Sequence, residues 1–148
     1  MSADEGIVQI REALRQVVEG ADFSPPAKLL SNVKGEQAAK IMPGLPYSLA
    51  TNVAHTDIWN RLWLARLEGQ PKFNPFPDFP PVPAEAWKET RDRFLVNLNR
   101  AYEISCAEPF SHRCASDEVA HRLLLKIAVH TAYHVGQFAL LKRALRSK

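Results

Sequence analysis

His130 and His134 stand one helical turn apart in the stretch VHTAYHVGQFALLKR. At about 100° of rotation per residue their side chains point almost the same way. Leu123, Ile127, Leu141 and Leu145 fall on that side too, so the pair sits inside an apolar stripe. Neutral imidazole ligates zinc, nickel, copper and iron, and an i, i+4 pair can offer two ring nitrogens to one ion. The pair is a candidate half-site that needs a third ligand. Two ordinary core or surface histidines would show the same spacing, so spacing alone leaves both readings open.

The third ligand has to come from another element. Ser48 is a plausible N-cap for a helix running to about Glu68, where Gly69 and Pro71 end it. On its projected wheel Asp57, Asn60, Arg61 and Glu68 gather on one side, whereas His55 falls opposite them beside Ile58, Trp59 and Leu62. His55 is therefore expected to point inward, which is what the pair on the last helix lacks. Of the other histidines, His121 lies about 180° from His130 on the wheel and His112 falls in a loop, so both are expected at the surface.

Two more helices are needed to hold these. Residues 3 to 19 carry Ile7, Ile10, Leu14 and Val17 at helical spacing and stop at Gly20. Residues 21 to 47 break the pattern, with Pro25-Pro26 at one end and MPGLPYS at the other, and KGEQAAK is expected to form one short helical turn between them. The stretch QPKFNPFPDFPPVP holds six prolines and three phenylalanines, a composition that excludes helix. It is expected to be a crossover packed onto the helices by Phe73, Phe76 and Phe79. A further helix spans about 84 to 107, with Trp87, Phe94, Leu98 and Ala101 on one face and Pro109 beyond its end. The last helix starts near Asp117 and meets no breaker except Gly136. Four helices and no strand pattern imply an all-α four-helix bundle in which His55, His130 and His134 face one central cavity.

Bulk properties narrow the function classes. A chain of 148 residues suits a single domain, 1–148, with one core. Apolar residues at 46% and charged residues at 24% describe an ordinary globular protein, not a disordered or membrane-spanning one. The net charge is +3, and the only dense basic group, the C-terminal KRALRSK, suits a helix end better than a nucleic-acid surface. Cys106 and Cys114 are eight apart, outside any C-x-x-C pattern, and are expected to be free thiols. The start of the chain shows no basic segment followed by an apolar run, and Lys126 interrupts the most apolar stretch, so a cytoplasmic protein is expected.

His55 on one helix followed by HTAYHVGQ on another resembles the DinB/YfiT-like metalloenzyme family. The likeness extends over the first helix, the long proline-containing link before PYSLATNVAH, FPPVPAEAW at the start of the third helix, and HxxxHxGQ on the fourth. The resemblance implies a bundle of up-down-down-up topology with long crossover loops, and a divalent ion, zinc or nickel most often, held by His55, His130 and His134. Several relatives are transferases or isomerases that use a low-molecular-weight thiol such as bacillithiol, mycothiol or glutathione. No residue in this sequence marks a particular thiol or second substrate.

Three protein ligands leave one position on an ion for water or substrate. Such an ion can hold a thiol as thiolate for S-transfer, or lower the pKa of bound water for hydrolysis. A non-catalytic metal-binding stress-response bundle is the alternative from a different class. Gln137 lies beside the histidine stripe, where it can hydrogen-bond a ligand or substrate, while Tyr133 and Asp57 are turned away and suit ordinary surface or packing. The side of the fourth helix away from the histidines carries Ala128, Ala132, Val135, Gly136 and Ala139. A helix apolar on both sides needs a second partner, and a homodimer through this face is expected, unless the 21–47 link or the Phe-rich crossover covers it.

Overall fold

In the computed structural model, which describes residues 3–146, the chain forms six α-helices and, among the described residues, no strand. They are α1 (Ala3–Glu19), α2 (Pro26–Leu30), α3 (Gly35–Ala38), α4 (Leu49–Leu67), α5 (Trp87–Cys106) and α6 (Asp117–Arg146). The four long helices close a ring in which α6 packs on α1 and α4, and α5 packs on the same two. Leu14, Phe94, Leu98, Leu124, Ile127 and Phe138 fill its centre, and Phe94 meets Phe138 edge-on at 5.7 Å between centroids.

Local chemistry sets the helix ends close to where the sequence puts them. Gly20 ends α1 at φ +90°, and its N–H donates to Gln16 O at 2.9 Å. The Ser48 hydroxyl accepts from Thr51 N–H at 3.1 Å and starts α4. Ser116 caps α6 by accepting from Val119 N–H at 3.2 Å, and Asp117 serves as a first-turn acid. The 21–47 link holds α3 within KGEQAAK, as expected, and α2 as well. Pro26 opens α2 rather than breaking it, because the first helical position needs no N–H donor. A short 3-10 turn, Ala84–Ala86, leads into α5. A Cβ on Gly35 would come within 2.4 Å of Ala84 O there, so only glycine fits at the start of α3.

The inside and outside of α4 differ from the wheel reading. Asp57 and Asn60, assigned to a solvated face, are 1% and 0% exposed. Asp57 accepts from Arg61 Nε at 3.0 Å and Asn97 Nδ2 at 2.9 Å, with Arg93 Nε at 3.3 Å. Burial pushes its carboxyl pKa up, and these donors oppose the shift. Asn60 donates to Thr131 Oγ1 on α6 at 2.9 Å. The helix buries polar residues because its neighbours present matching donors and acceptors, a pairing that no single-helix wheel contains. Asp57→Ala is expected to destabilise the fold by about 1.5–3 kcal/mol, the range for hydrogen bonds to a charged group. Urea unfolding measures it, and an unchanged midpoint would remove Asp57 as the tie between α4 and α5.

His112 and His121 also depart from the surface positions expected of them. The His112 side chain is only 10% exposed, with Nε2 2.6 Å from Asp117 Oδ1 and Nδ1 accepting from Cys114 N–H at 3.0 Å. His121 is half-buried against Phe110 and lies beside Gly6 of α1, which covers that side of α6. Cys106 and Cys114 are free thiols. None of the described helices is long and apolar enough to cross a membrane.

Candidate metal centre

His55 on α4 and His130 and His134 on α6 come together, each offering a ring nitrogen within 4.8 Å of the others. The ring centroids of His130 and His134 are 4.5 Å apart, and that of His55 is 5.3 and 4.7 Å from them. They meet at the seam between α4 and α6, and part of their cover is the proline-rich segment. Phe79 stacks on the His55 ring at 4.0 Å and 6°, and Tyr47 stacks on Phe79 at 4.7 Å. Thr51 Oγ1 pins the segment by donating to Pro80 O at 2.8 Å. The packing expected of the three phenylalanines is confined largely to this stack: Phe76 is 63% exposed, and Phe73 lies against the Arg61 guanidinium.

Hydrogen bonds settle which nitrogen each of two rings presents. His55 Nδ1 lies 2.8 Å from Asp78 O and 2.9 Å from Asp78 Oδ1. A carbonyl only accepts, so Nδ1 carries the proton and Nε2 keeps its lone pair. His134 Nδ1 lies 2.7 Å from Gln137 Oε1, which also accepts from Asn52 Nδ2 at 3.0 Å. That arrangement makes Nδ1 the donor again and leaves Nε2 bare. His134 Nε2 and His130 Nε2 stand 3.1 Å apart. Two nitrogens on one tetrahedral ion, at bonds of 2.0–2.1 Å, would be about 3.3 Å apart. His130 Nδ1 is buried with no hydrogen-bond partner among the described residues.

The environment keeps two of the rings neutral. Burial lowers the pKa of His130 to about 4, helped by the neighbouring His134 and His55. Burial lowers His134 to about 4 as well, with the Gln137 hydrogen bond acting against the shift. A ligand must be deprotonated to bind an ion, so at neutral pH these two rings need lose no proton. The donor set, three imidazoles of which two are fixed by outer hydrogen bonds, fits a divalent transition ion.

Sequence reasoning singled out His55, His130, His134 and Gln137, and all four are in this cluster. Tyr133 is 65% exposed, yet its ring lies edge-on to His134 at 5.0 Å. Asp57 lies apart, in its arginine cluster. The sequence reading missed Asp78, which holds His55 and also accepts from Trp59 Nε1 at 2.6 Å. A signal was there, since Asp78 is the single acid within the proline-rich stretch 70–83. Asp78→Ala removes the carboxylate but leaves the carbonyl of residue 78 on His55 Nδ1, so metal affinity is expected to weaken by about tenfold, the lower end for loss of a ligand's outer partner. Titration against a chelating indicator reads it, and wild-type affinity in the variant would leave Asp78 a purely structural residue.

The family model described as the DinB superfamily matches residues 27–138, a span that includes all three histidines. No curated protein and no solved structure matches the chain.

Proposed function

The chain belongs to the DinB superfamily, and from that membership we propose that His55, His130 and His134 bind one divalent transition ion, zinc or nickel, at which a low-molecular-weight thiol is activated for S-transfer. The observation that carries the reading is the convergence of the three rings, with Asp78 and Gln137 holding the Nδ1 protons of His55 and His134. When bound, the ion supplies positive charge that stabilises a thiolate, the nucleophilic form of the cosubstrate. The residues of the chain do the rest. Asp78 and Gln137 orient two rings, Phe79 and Tyr47 shield His55 from water, and three ligands leave room for the thiol sulfur. The up-down-down-up course belongs to the same reading, since α4 and α5 are packed neighbours joined by a long proline-rich crossover.

Turnover tests it. Metal-loaded protein should consume an electrophile such as 1-chloro-2,4-dinitrobenzene only when a thiol is added, the new S–C bond forming as chloride leaves. Consumption of an ester without thiol would favour hydrolysis. Turnover of neither, with stoichiometric metal bound, would favour a binding bundle.

A homodimer through α6 completes the proposal. Ala128 and Val135 of the expected face are buried within the chain, but Gly136 and Ala139 are exposed and line, with Ala132, Phe23, Leu29 and Lys142, a cleft of about 520 Å³. Among the described residues a Cβ on Gly136 would meet nothing within 4 Å, so no contact with them calls for glycine at this mid-helix position. A second copy crossing there would use the space. Light scattering is expected to show a dimer that Ala139→Glu dissociates, and a monomeric wild type at micromolar concentration would remove the interface.

A further inference from the structure

His55 and His134 are 6% and 4% exposed, whereas His130 is half-buried, so His130 is the side of the cluster open to a visitor. It lines a cavity of about 580 Å³ whose walls are Trp63, Leu125, Val129 and Tyr133. Leu125 is 44%, Val129 62% and Tyr133 65% exposed, an apolar surface that none of the described residues covers. Trp63 meets the His130 ring edge-on at 5.2 Å. Lys126 and Arg122, one helical turn or more before His130, give the wall their apolar stems and carry their charges at its rim. Lys126 holds its ammonium 5.9 Å above the Trp63 ring, and Arg122 pairs with Glu118 at 2.7 Å on the exposed rim. Lys126 precedes His130 by four residues, about 6 Å along the helix axis.

We propose that this cavity binds a small carboxylate with an apolar body, its anion at Lys126 and its apolar part over Trp63, Val129 and Tyr133. The opposite end of such a molecule lies against His130. Its role as the second substrate, the electrophile that meets the thiol, rests on the metal-site reading above; its binding does not. Charge selects the occupant. An apolar wall alone would accept any hydrophobic molecule, but a cation at one end favours an anion and disfavours an amine of the same shape. A half-exposed surface of this kind is also one of the places where a soluble chain keeps an apolar patch for binding.

Full-length protein titrated calorimetrically with 4-phenylbutyrate and with 4-phenylbutylamine tests the proposal. The acid is expected to bind at least tenfold more tightly than the amine. Lys126→Glu should reverse that order, and Val129→Asp should abolish binding of the acid while far-UV circular dichroism stays that of the wild type. Equal affinity for acid and amine, or acid binding untouched by both substitutions, would overturn it. So would a wild-type dimer that Val129→Asp dissociates, because a second copy would then own this face. His134→Ala separates the two readings: the variant should lose metal yet keep its affinity for 4-phenylbutyrate. Phenylbutyrate binding by a wild-type protein that takes up no zinc or nickel would uphold the cavity and sink the metal site.

Discussion

Alanine at His55, His130 or His134 is expected to reduce bound metal to less than about a tenth of wild type, since each removes one of three protein ligands. The effect should be largest at His134, whose two ring nitrogens are both committed. Nδ1 donates to Gln137 Oε1, and Nε2 faces His130 Nε2 at 3.1 Å. His121→Ala is the control, because His121 packs against Phe110 and α1, away from the cluster. Elemental analysis of protein purified without an affinity tag reads the outcome directly. Full stoichiometric metal in all three variants, or loss of metal from His121→Ala, would show that the ion sits elsewhere. Helicity should survive in each variant. The ring of α1, α4, α5 and α6 is closed by buried residues such as Leu14, Phe94, Ile127 and Phe138, so metal adds stability without being required for folding. Loss of helical circular dichroism on chelation at neutral pH would instead make the centre structural.

The elements that carry this site were legible because their signals are periodic. Ile7, Ile10, Leu14 and Val17 define α1 and are all buried, and Trp87, Phe94, Leu98 and Ala101 do the same for α5. The histidines on α6 share a face by arithmetic alone. What escaped was set by partners distant in sequence. Asp57 reads as a solvent-facing acid until Asn97 and Arg93 of α5 are brought to it. Asp78 reads as a loop residue until the crossover folds back over α4 and lays Phe79 on His55. α2 was hidden for a different reason: proline breaks a helix from inside but starts one from its first position, and Pro26 occupies that position. His55 and His134 point inward as expected, whereas His130 is half-buried, and the three close on each other at the α4–α6 seam under Phe79 instead of in a central cavity.

Acid should release the metal later than free imidazole chemistry suggests. An unperturbed histidine has a pKa of about 6.5, so three exposed ligands would begin to yield to protons just below neutrality. Burial instead holds His130 and His134 at about 4. Neither ring should then take up a proton above about pH 5, and the metal Kd should weaken by no more than about tenfold per pH unit between 6.5 and 5. Towards pH 4 both rings protonate and occupancy should collapse. The same shifts act on the metal-free fold. Between about pH 6.5 and 4 the unfolded chain binds protons that the folded one refuses, so stability falls as pH drops through that window and levels off below it. Metal titrations in chelator buffers at several pH values, with urea unfolding of the metal-free protein beside them, measure both effects. Weakening by a hundredfold per pH unit already at pH 6 would require more than one imidazole to be taking up a proton there. That result would show His130 or His134 titrating as an exposed ring, and the seam under Phe79 would be open to water.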